Sequence, residues 1–395
     1  MNDTIKIHKP LPRTVWALGM VSLLMDASSE TIHGLLPLFL TTSLGASVAL
    51  VGLIDGVAEA TAAIAKVFSG YVSDRIGRRK PLILLGYGLG ALSKPLFPLA
   101  ASAGLVFGAR FIDRIGKGLR GAPRDALIAD VTSIDQRGRA YGLRQALDTV
   151  GAFIGPLAAI GLMQIFAGDI RTVFWFAVIP ALLSVLFVLF GVQDPPSAPR
   201  PTSPRVPIQW RDIHALDRAY WRVVVLGVVF TLARFSEAFL ILKAHDGGLA
   251  LALAPLVLVA MNVVYALGAY PAGVLADRMG PRGLLLASLV ALIAADVLLA
   301  LSGGLTMIFT GIVLWGVHMA LSQGLLAKLV ADHAPAALRG SAFGVFNLSS
   351  GVAMLLASTL AGGLWEWFGA ATTFWAGALF AAVAALLVGA LRERR

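Results

Sequence analysis

Long apolar runs interrupted only by short polar loops recur along the whole chain. A membrane-spanning helix needs about 20 consecutive apolar residues, roughly the length of each run. The runs fall near 15–40, 47–72, 81–101, 104–128, 139–166 and 172–191. A second set falls near 220–242, 250–276, 283–302, 305–330, 339–364 and 370–391. They are continuously apolar rather than alternating, so they read as helices and not as the strands of a membrane barrel. Of the 395 residues, 58% are hydrophobic and 14% are charged, against about 25% charged in an ordinary soluble domain. So much apolar surface needs the bilayer as its solvent, which excludes a soluble enzyme, a secreted module and a disordered chain. The expected fold is all-α, with twelve transmembrane helices.

A stretch at 192–218 separates the two sets and carries Pro195, Pro196, Pro199, Pro201, Pro204 and Pro207. Such a polar, proline-rich segment cannot span a membrane and reads as a linker. The expected organisation is an N-terminal six-helix bundle at 1–191, a linker at 192–218 and a C-terminal six-helix bundle at 219–395. The formal net charge is +10, but the basic residues sit in short loops rather than in a nucleic-acid-binding patch. Lys6, Lys9 and Arg13 precede the first run, Arg75, Arg78, Arg79 and Lys80 follow the second, and Arg137 and Arg139 follow the fourth. By the positive-inside rule, these loops, the linker and both termini are cytoplasmic in a multi-pass inner-membrane protein. The first run is too long for a cleaved signal peptide. Cysteine is absent, so disulfides, thiolate metal sites and cysteine nucleophiles are excluded.

The halves repeat. GYVSDRIGRR at 70–79 answers GVLADRMGPR at 273–282, IADVTSIDQRGRAYG at 128–142 answers VADHAPAALRGSAFG at 330–344, and Phe174-Trp175 answers Phe374-Trp375. The offsets are 203, 202 and 200 residues, and parallel six-helix repeats are the plan of one large transporter class. The segment Gly70-x-x-x-Asp74-Arg75-x-Gly77-Arg78-Arg79 closely resembles the loop 2–3 signature of the major facilitator superfamily, and Asp277-Arg278 belongs to its degenerate second copy. Arg114-x-x-Lys117-Gly118-x-x-Gly121 resembles the fourth-helix motif of that superfamily, with Lys117 in place of the usual Gln. Gly151-x-x-x-Gly155-Pro156 resembles the fifth-helix motif common in its antiporters. The resemblance implies a gating role for Gly70, Asp74, Arg75, Gly77, Arg78, Asp277 and Arg278, with Asp74 latching the two bundles. It also implies a secondary transporter and suggests export. Gly151 and Gly155, four apart, share a helix face and allow close packing, and Pro156 bends a helix. The G-x-G-x-x-G at Gly116–Gly121 lies in a membrane helix with no βαβ unit around it, so no nucleotide cofactor is expected.

Ionisable groups at bilayer depth are costly, by about 2.5–3.5 kcal/mol each on insertion scales, and therefore face the bundle interior. Asp26, Glu30 and His33 share one face of the first helix, and Asp55, Glu59 and Lys66 one face of the second. The fourth carries Arg110, Asp113, Arg114 and Lys117, the fifth Arg144 and Asp148. The second half offers only Arg234, Glu237, Asp296, His318 and Asn347, so ion chemistry is expected in the N-terminal bundle. Asp26 and Glu30, one turn apart at mid-span, suit binding and releasing a proton. Arg144–Asp148 and Arg114–Asp113 are readable as structural ion pairs, Lys94 as part of a loop-side turn, and Asp55 as a group near the outer surface.

Asp26, Glu30, His33, Asp55, Glu59, Arg110, Asp113, Arg114, Arg144 and Asp148 form the expected proton and substrate pathway. The expected function is secondary active transport, as proton-coupled export of a small organic compound by a monomer among membrane lipids. One alternative is a divalent metal exporter using Asp26, Glu30, His33 and Glu59. An alternative of another class is a non-transporting receptor or scaffold on the same fold.

Overall fold

The computed structural model describes residues 10–134, 136–195, 216–279, 281–301, 303–335 and 338–390, without the side chains at 74, 276–279, 281, 339, 340 and 390. Most of the linker, the side chains of Asp74, Asp277 and Arg278, and the chain's two ends therefore lie outside the described residues. The rest is helical with no strand. In chain order the helices are α1 (Arg13–His33), α2 (Val48–Ile76), α3 (Lys80–Ser93), α4 (Ala103–Val131), α5 (Arg137–Ile165) and α6 (Ile170–Gly191). They continue as α7 (Arg218–Ala233, resuming at Ala238–Asp246), α8 (Leu256–Met279), α9 (Pro281–Leu301), α10 (Leu305–His333), α11 (Arg339–Phe368) and α12 (Ala370–Ala390). A π-helical turn, Phe39–Ser43, extends α1, and a short helix, Leu96–Leu99, extends α3.

Ten of the described helices are long and apolar enough to cross a membrane; α1 and α4 are not among them. Those two carry Asp26 and Glu30, and the run from Arg110 to Asp130. Their charges lower the local hydropathy, and burial between neighbouring helices is what keeps them at membrane depth.

Local signals set the ends. Ser47 caps α2 by accepting from the Leu50 N–H at 3.2 Å, and Asp217 caps α7 by accepting from the Tyr220 N–H at 2.7 Å. Gly77 closes α2 in the left-handed region at φ 70°, which explains the glycine of the loop 2–3 motif. In that loop the Arg79 and Lys80 N–H groups donate to Asp194 Oδ1 at 3.1 and 3.0 Å, and Arg79 Nε pairs with Asp130 at 3.2 Å. Arg75 and Arg78 are exposed.

Packing within the halves repeats with a shift of six helices. The contacts α1–α5, α1–α6, α2–α4, α3–α4 and α3–α6 recur as α7–α11, α7–α12, α8–α10, α9–α10 and α9–α12. The two bundles meet through α2–α11 and α5–α8. The α2–α11 seam is made where side chains are missing. A Cβ on Gly56 would lie 3.0 Å from the Leu355 backbone, one on Gly362 2.9 Å from Ala49 Cα, and Gly52 abuts the Ser358 carbonyl. All of these lie in the half remote from the basic loops.

The α1–α5 contact uses the fifth-helix motif. Gly151 abuts the Leu23 carbonyl, and a Cβ at Gly155 would stand 2.6 Å from the Ala27 carbonyl oxygen. Thr31 Oγ1 sits in the space left and donates to Gly155 O at 3.1 Å. Gly155→Ala is therefore expected to destabilise the protein by about 1–3 kcal/mol through overpacking. Gly161→Ala, on the same helix with nothing within 4 Å of its added methyl, is expected to be neutral. Thermal unfolding in detergent, followed by size-exclusion chromatography, compares the two.

Candidate functional site

The charged side chains of α1, α2, α4 and α5 turn toward one another and, on one side, toward α7. Four groups can be followed from the sealed end to the basic end. In the outermost, Arg110 Nη2 donates to Asp55 Oδ1 at 3.4 Å, and both residues are buried. The other oxygen, Oδ2, accepts from Ser236 Oγ of the opposite bundle at 2.7 Å. Ser236 lies in the break of α7, and its N–H donates to Ser358 Oγ of α11 at 3.2 Å. Asp55 is thus an inter-bundle ligand rather than a surface group.

One turn further in, Arg114 Nη1 pairs with Glu59 Oε1 at 3.1 Å, and His33 Nδ1 lies 3.5 Å from Glu30 Oε2. Lys117 adds a charge felt by Asp26, Glu30 and Glu59, and is exposed. The Glu59 side chain is 41% exposed. Glu237, at the α7 break, interacts with His33, Arg234, Glu30 and Glu59. Glu59, Lys117 and, further toward the basic end, Lys66 are exposed and border a cleft between the bundles.

The third group lies behind the cleft. Lys94 Nζ donates to Asp113 Oδ1 at 2.9 Å and to Ser29 Oγ at 3.0 Å, with lysine and aspartate both almost wholly buried. Lys94 lies in the turn that joins α3 to its short extension, as expected, but its side chain points inward to Asp113. The adjacent Asp113 and Arg114 point about 100° apart around the helix, so they do not pair with each other. Each takes a partner on a different helix.

In the fourth group the Asp26 carboxyl faces Asp148 across the α1–α5 interface. Arg144 Nη1 and Arg124 Nη1 approach Asp148 Oδ1 at 3.7 and 3.9 Å. Arg124 also donates to Ser22 Oγ at 2.8 Å and to Tyr87 OH at 3.4 Å. Arg120 stacks over the Tyr87 ring at 4.6 Å, and its Nη1 is buried without a partner.

This arrangement divides the expected site. Asp26 and Glu30 are not partners, since one faces Asp148 and the other His33. Asp26, Glu30, His33 and Glu59 do not converge as metal ligands, and no group of three or more such side chains does so among the described residues. Glu59 is instead committed to Arg114. Participants that stand apart from the expected pathway include Lys94, Arg124, Ser236 and Glu237. The polar Arg234-Phe235-Ser236-Glu237 interruption in the seventh apolar run was the signal available for the last two.

Removing one partner of a buried ion pair strands the other, a loss of about 3–5 kcal/mol, whereas replacing both by apolar groups is often neutral. Lys94→Met and Asp113→Leu are each expected to be strongly destabilising, and the double substitution to recover most of the loss. A double-mutant cycle on thermal stability in detergent measures this.

Comparison with known proteins places this chain among transporters. Residues 18–254 and 229–395 match the Major Facilitator Superfamily model. An uncharacterized MFS-type transporter of Methanocaldococcus jannaschii is 29% identical over 388 residues, covering 96% of this chain and 95% of the relative. Multidrug resistance protein MdtH of Salmonella typhi is 26% identical over 332 residues, covering 82% of this chain and 78% of its own length. The solved nucleoside transporter NupG shares the fold with a TM-score of 0.81 at 14% identity, over 96% of this chain and 100% of that structure.

Proposed function

The chain belongs to the major facilitator superfamily and is a multi-pass membrane transporter, and from that premise we propose that it exports a small organic compound in exchange for protons. The observation that carries the proposal is the meeting of Asp26 and Asp148. Two carboxyl groups that face each other in a low-dielectric interior repel when both are charged, and a shared proton relieves the repulsion. Arg124 and Arg144 stand by to take up the charge when the proton leaves. Glu30, His33, Glu59, Asp113, Arg114 and Arg110 continue the polar path toward the sealed end, and Asp55 ends it. No nucleotide-hydrolysis motif is present, so the driving force is an ion gradient, worth about 2.3 kcal/mol for each charge moved through 100 mV.

Organic cargo is supported by the similarity to a protein named for multidrug resistance, and by the absence of a converged set of metal donors among the described residues. In this reading the basic end is cytoplasmic, with both termini on that side of the inner membrane. The protein works as a monomer among membrane lipids. The bundles at 1–191 and 219–395 rock about the cleft, with 192–218 as their tether. The structure then corresponds to the state open to the cytoplasm, with the periplasmic side closed by the α2–α11 seam. The loop 2–3 motif, Gly70, Asp74, Arg75, Gly77 and Arg78 with Asp277 and Arg278 in the second copy, closes the cytoplasmic side in the opposite state.

Proteoliposomes with an imposed pH gradient, screened with organic cations, organic anions and divalent metals, test the function. Wild type is expected to concentrate an organic compound against its gradient, and Asp26→Asn and Asp148→Asn to lose concentrative transport while still folding. Wild-type rates in both variants would remove the pair from coupling.

The periplasmic closure makes a separate prediction. Ser236→Ala removes the only hydrogen bond identified from a described side chain of the second bundle to Asp55, a charge-assisted contact of about 1.5–3 kcal/mol. It is expected to shift the population toward the outward-open state. The chain has no native cysteine, so pairs of spin labels on introduced cysteines at the sealed ends of α2 and α11 report the distance distribution cleanly. A distribution identical to that of the parent would show that the hydrogen bond does not hold the gate.

A further inference from the structure

Between Arg339 and Arg392 the chain has a single ionisable side chain, Glu366. It stands in the last turn of α11, at the sealed end. Its Oε2 accepts from the Val48 N–H of α2, in the other bundle, at 3.0 Å. Val48 is the first residue of α2, where backbone N–H groups have no partner within the helix. Ser47 Oγ answers the N–H of Leu50 at 3.2 Å, and Glu366 answers that of Val48. One helix end is thus capped from both bundles, and a carboxylate lies at the positive end of the α2 dipole.

The seam beneath holds this contact in register. Gly362 is one turn before Glu366, and a Cβ there would lie 2.9 Å from both Ala49 Cα and the Val48 carbonyl oxygen. That close approach carries the glutamate over the start of α2. Glu366 is exposed, and so are Trp367 and Phe368 beside it. Tryptophan favours the membrane–water boundary, so the carboxyl group meets the water of the sealed side. Other charges at this end are few. On α2 the next ionisable group is Asp55, two turns further in and bonded to Arg110 and Ser236. The segment 34–47, α12 and the first three turns of α10 carry none. At the end of α7, Lys243, His245 and Asp246 act on one another, and Glu366 is not among the partners of Lys243 or Asp246.

We propose that Glu366 is an acid-released latch on the sealed side. As a carboxylate it ties α11 to the start of α2 and holds the two bundles together. Once protonated it loses the charge that the helix end attracts and is a weaker acceptor, so the sealed side opens more readily. The closed arrangement is therefore favoured where Glu366 is ionised, and that preference fades as the pH falls. The latch rests on the reading of this structure as the state closed to the periplasm. In that reading, protons on the periplasmic side help to open the path by which they enter. The latch does not depend on Asp26 or Asp148.

The test measures distances between spin labels on cysteines introduced at Gln164 of α5 and Thr306 of α10, both exposed at the sealed end. The full chain is held in lipid nanodiscs without substrate or gradient. At about pH 7.5, Glu366→Gln is expected to raise the ratio of open to closed about two- to fivefold. Val48→Pro removes the donor instead and is expected to act alike. Proline suits the first helical position, and Ser47 before it is already extended at ψ 155°. Both substitutions remove one contact, so the double variant is expected to shift little further than either alone. At about pH 4, where free glutamate side chains have mostly taken up a proton, the unaltered protein is expected to shift toward open more than Glu366→Gln does. Parent distributions in both single variants, additive shifts in the double variant, or an equal acid response with and without Glu366 would overturn the proposal. If Val48→Pro does not fold, the comparison of Glu366→Gln with the parent at the two pH values decides. No transport is measured, so a failure here and a failure of proton coupling at Asp26 and Asp148 are read separately.

Discussion

The buried charges in the outer half of α4 must be answered from inside the protein, because the hydrocarbon of a bilayer offers no water to do it. Arg110, Asp113 and Arg114 are all buried, and each finds a counter-charge on a different neighbour: Asp55 of α2, Lys94 beyond α3 and Glu59 of α2. That requirement fixes α4 as the centre of the N-terminal bundle and sets the rotation of α2 and α3 around it. The same requirement makes glycine necessary where helices must come close enough for short side chains to meet. Gly86 and Gly116 let α3 and α4 touch backbone to backbone, and Gly118 sits against Ala62 and Ala65 of α2.

The two bundles share a plan but divide the chemistry. The helix contacts of the first half recur in the second, while the buried charges do not. In place of an ionic interior, the second half has Trp315, Phe235, Phe239, Trp365 and Phe374 packed ring to ring, and its His318 is used up by a hydrogen bond to the Ser288 carbonyl at 2.9 Å. A charged half thus lies beside an aromatic and apolar half.

Much of this was legible in the sequence. The spans, the repeat and the packing glycines follow from properties of single helices, and so does the concentration of charge in the first half: hydropathy, helical period and spacing. Partner choice does not follow, because it is settled between helices. Spacing put Asp26 and Glu30 on one face, but it could not tell that Asp148 lies opposite one and His33 beside the other. Lys94 reads as a turn residue before Pro95, and it is one, but spacing could not tell that its side chain is drawn inward by Asp113. The break in α7 was visible only as four polar or aromatic residues in an apolar run, and its significance depends on Asp55 reaching it from the other bundle.

The closest approaches in the seam between α2 and α11 are made by glycine, alanine and main chain, with the Leu355 side chain beside them. In the proposed rocking motion, few flexible side chains at these closest approaches would change rotamer, so little side-chain entropy would change hands. The balance of such a seam would rest on the polar contacts that bridge the bundles beside it, Ser236 to Asp55 and the Val48 N–H to Glu366 among them, which would make it sensitive to single residues.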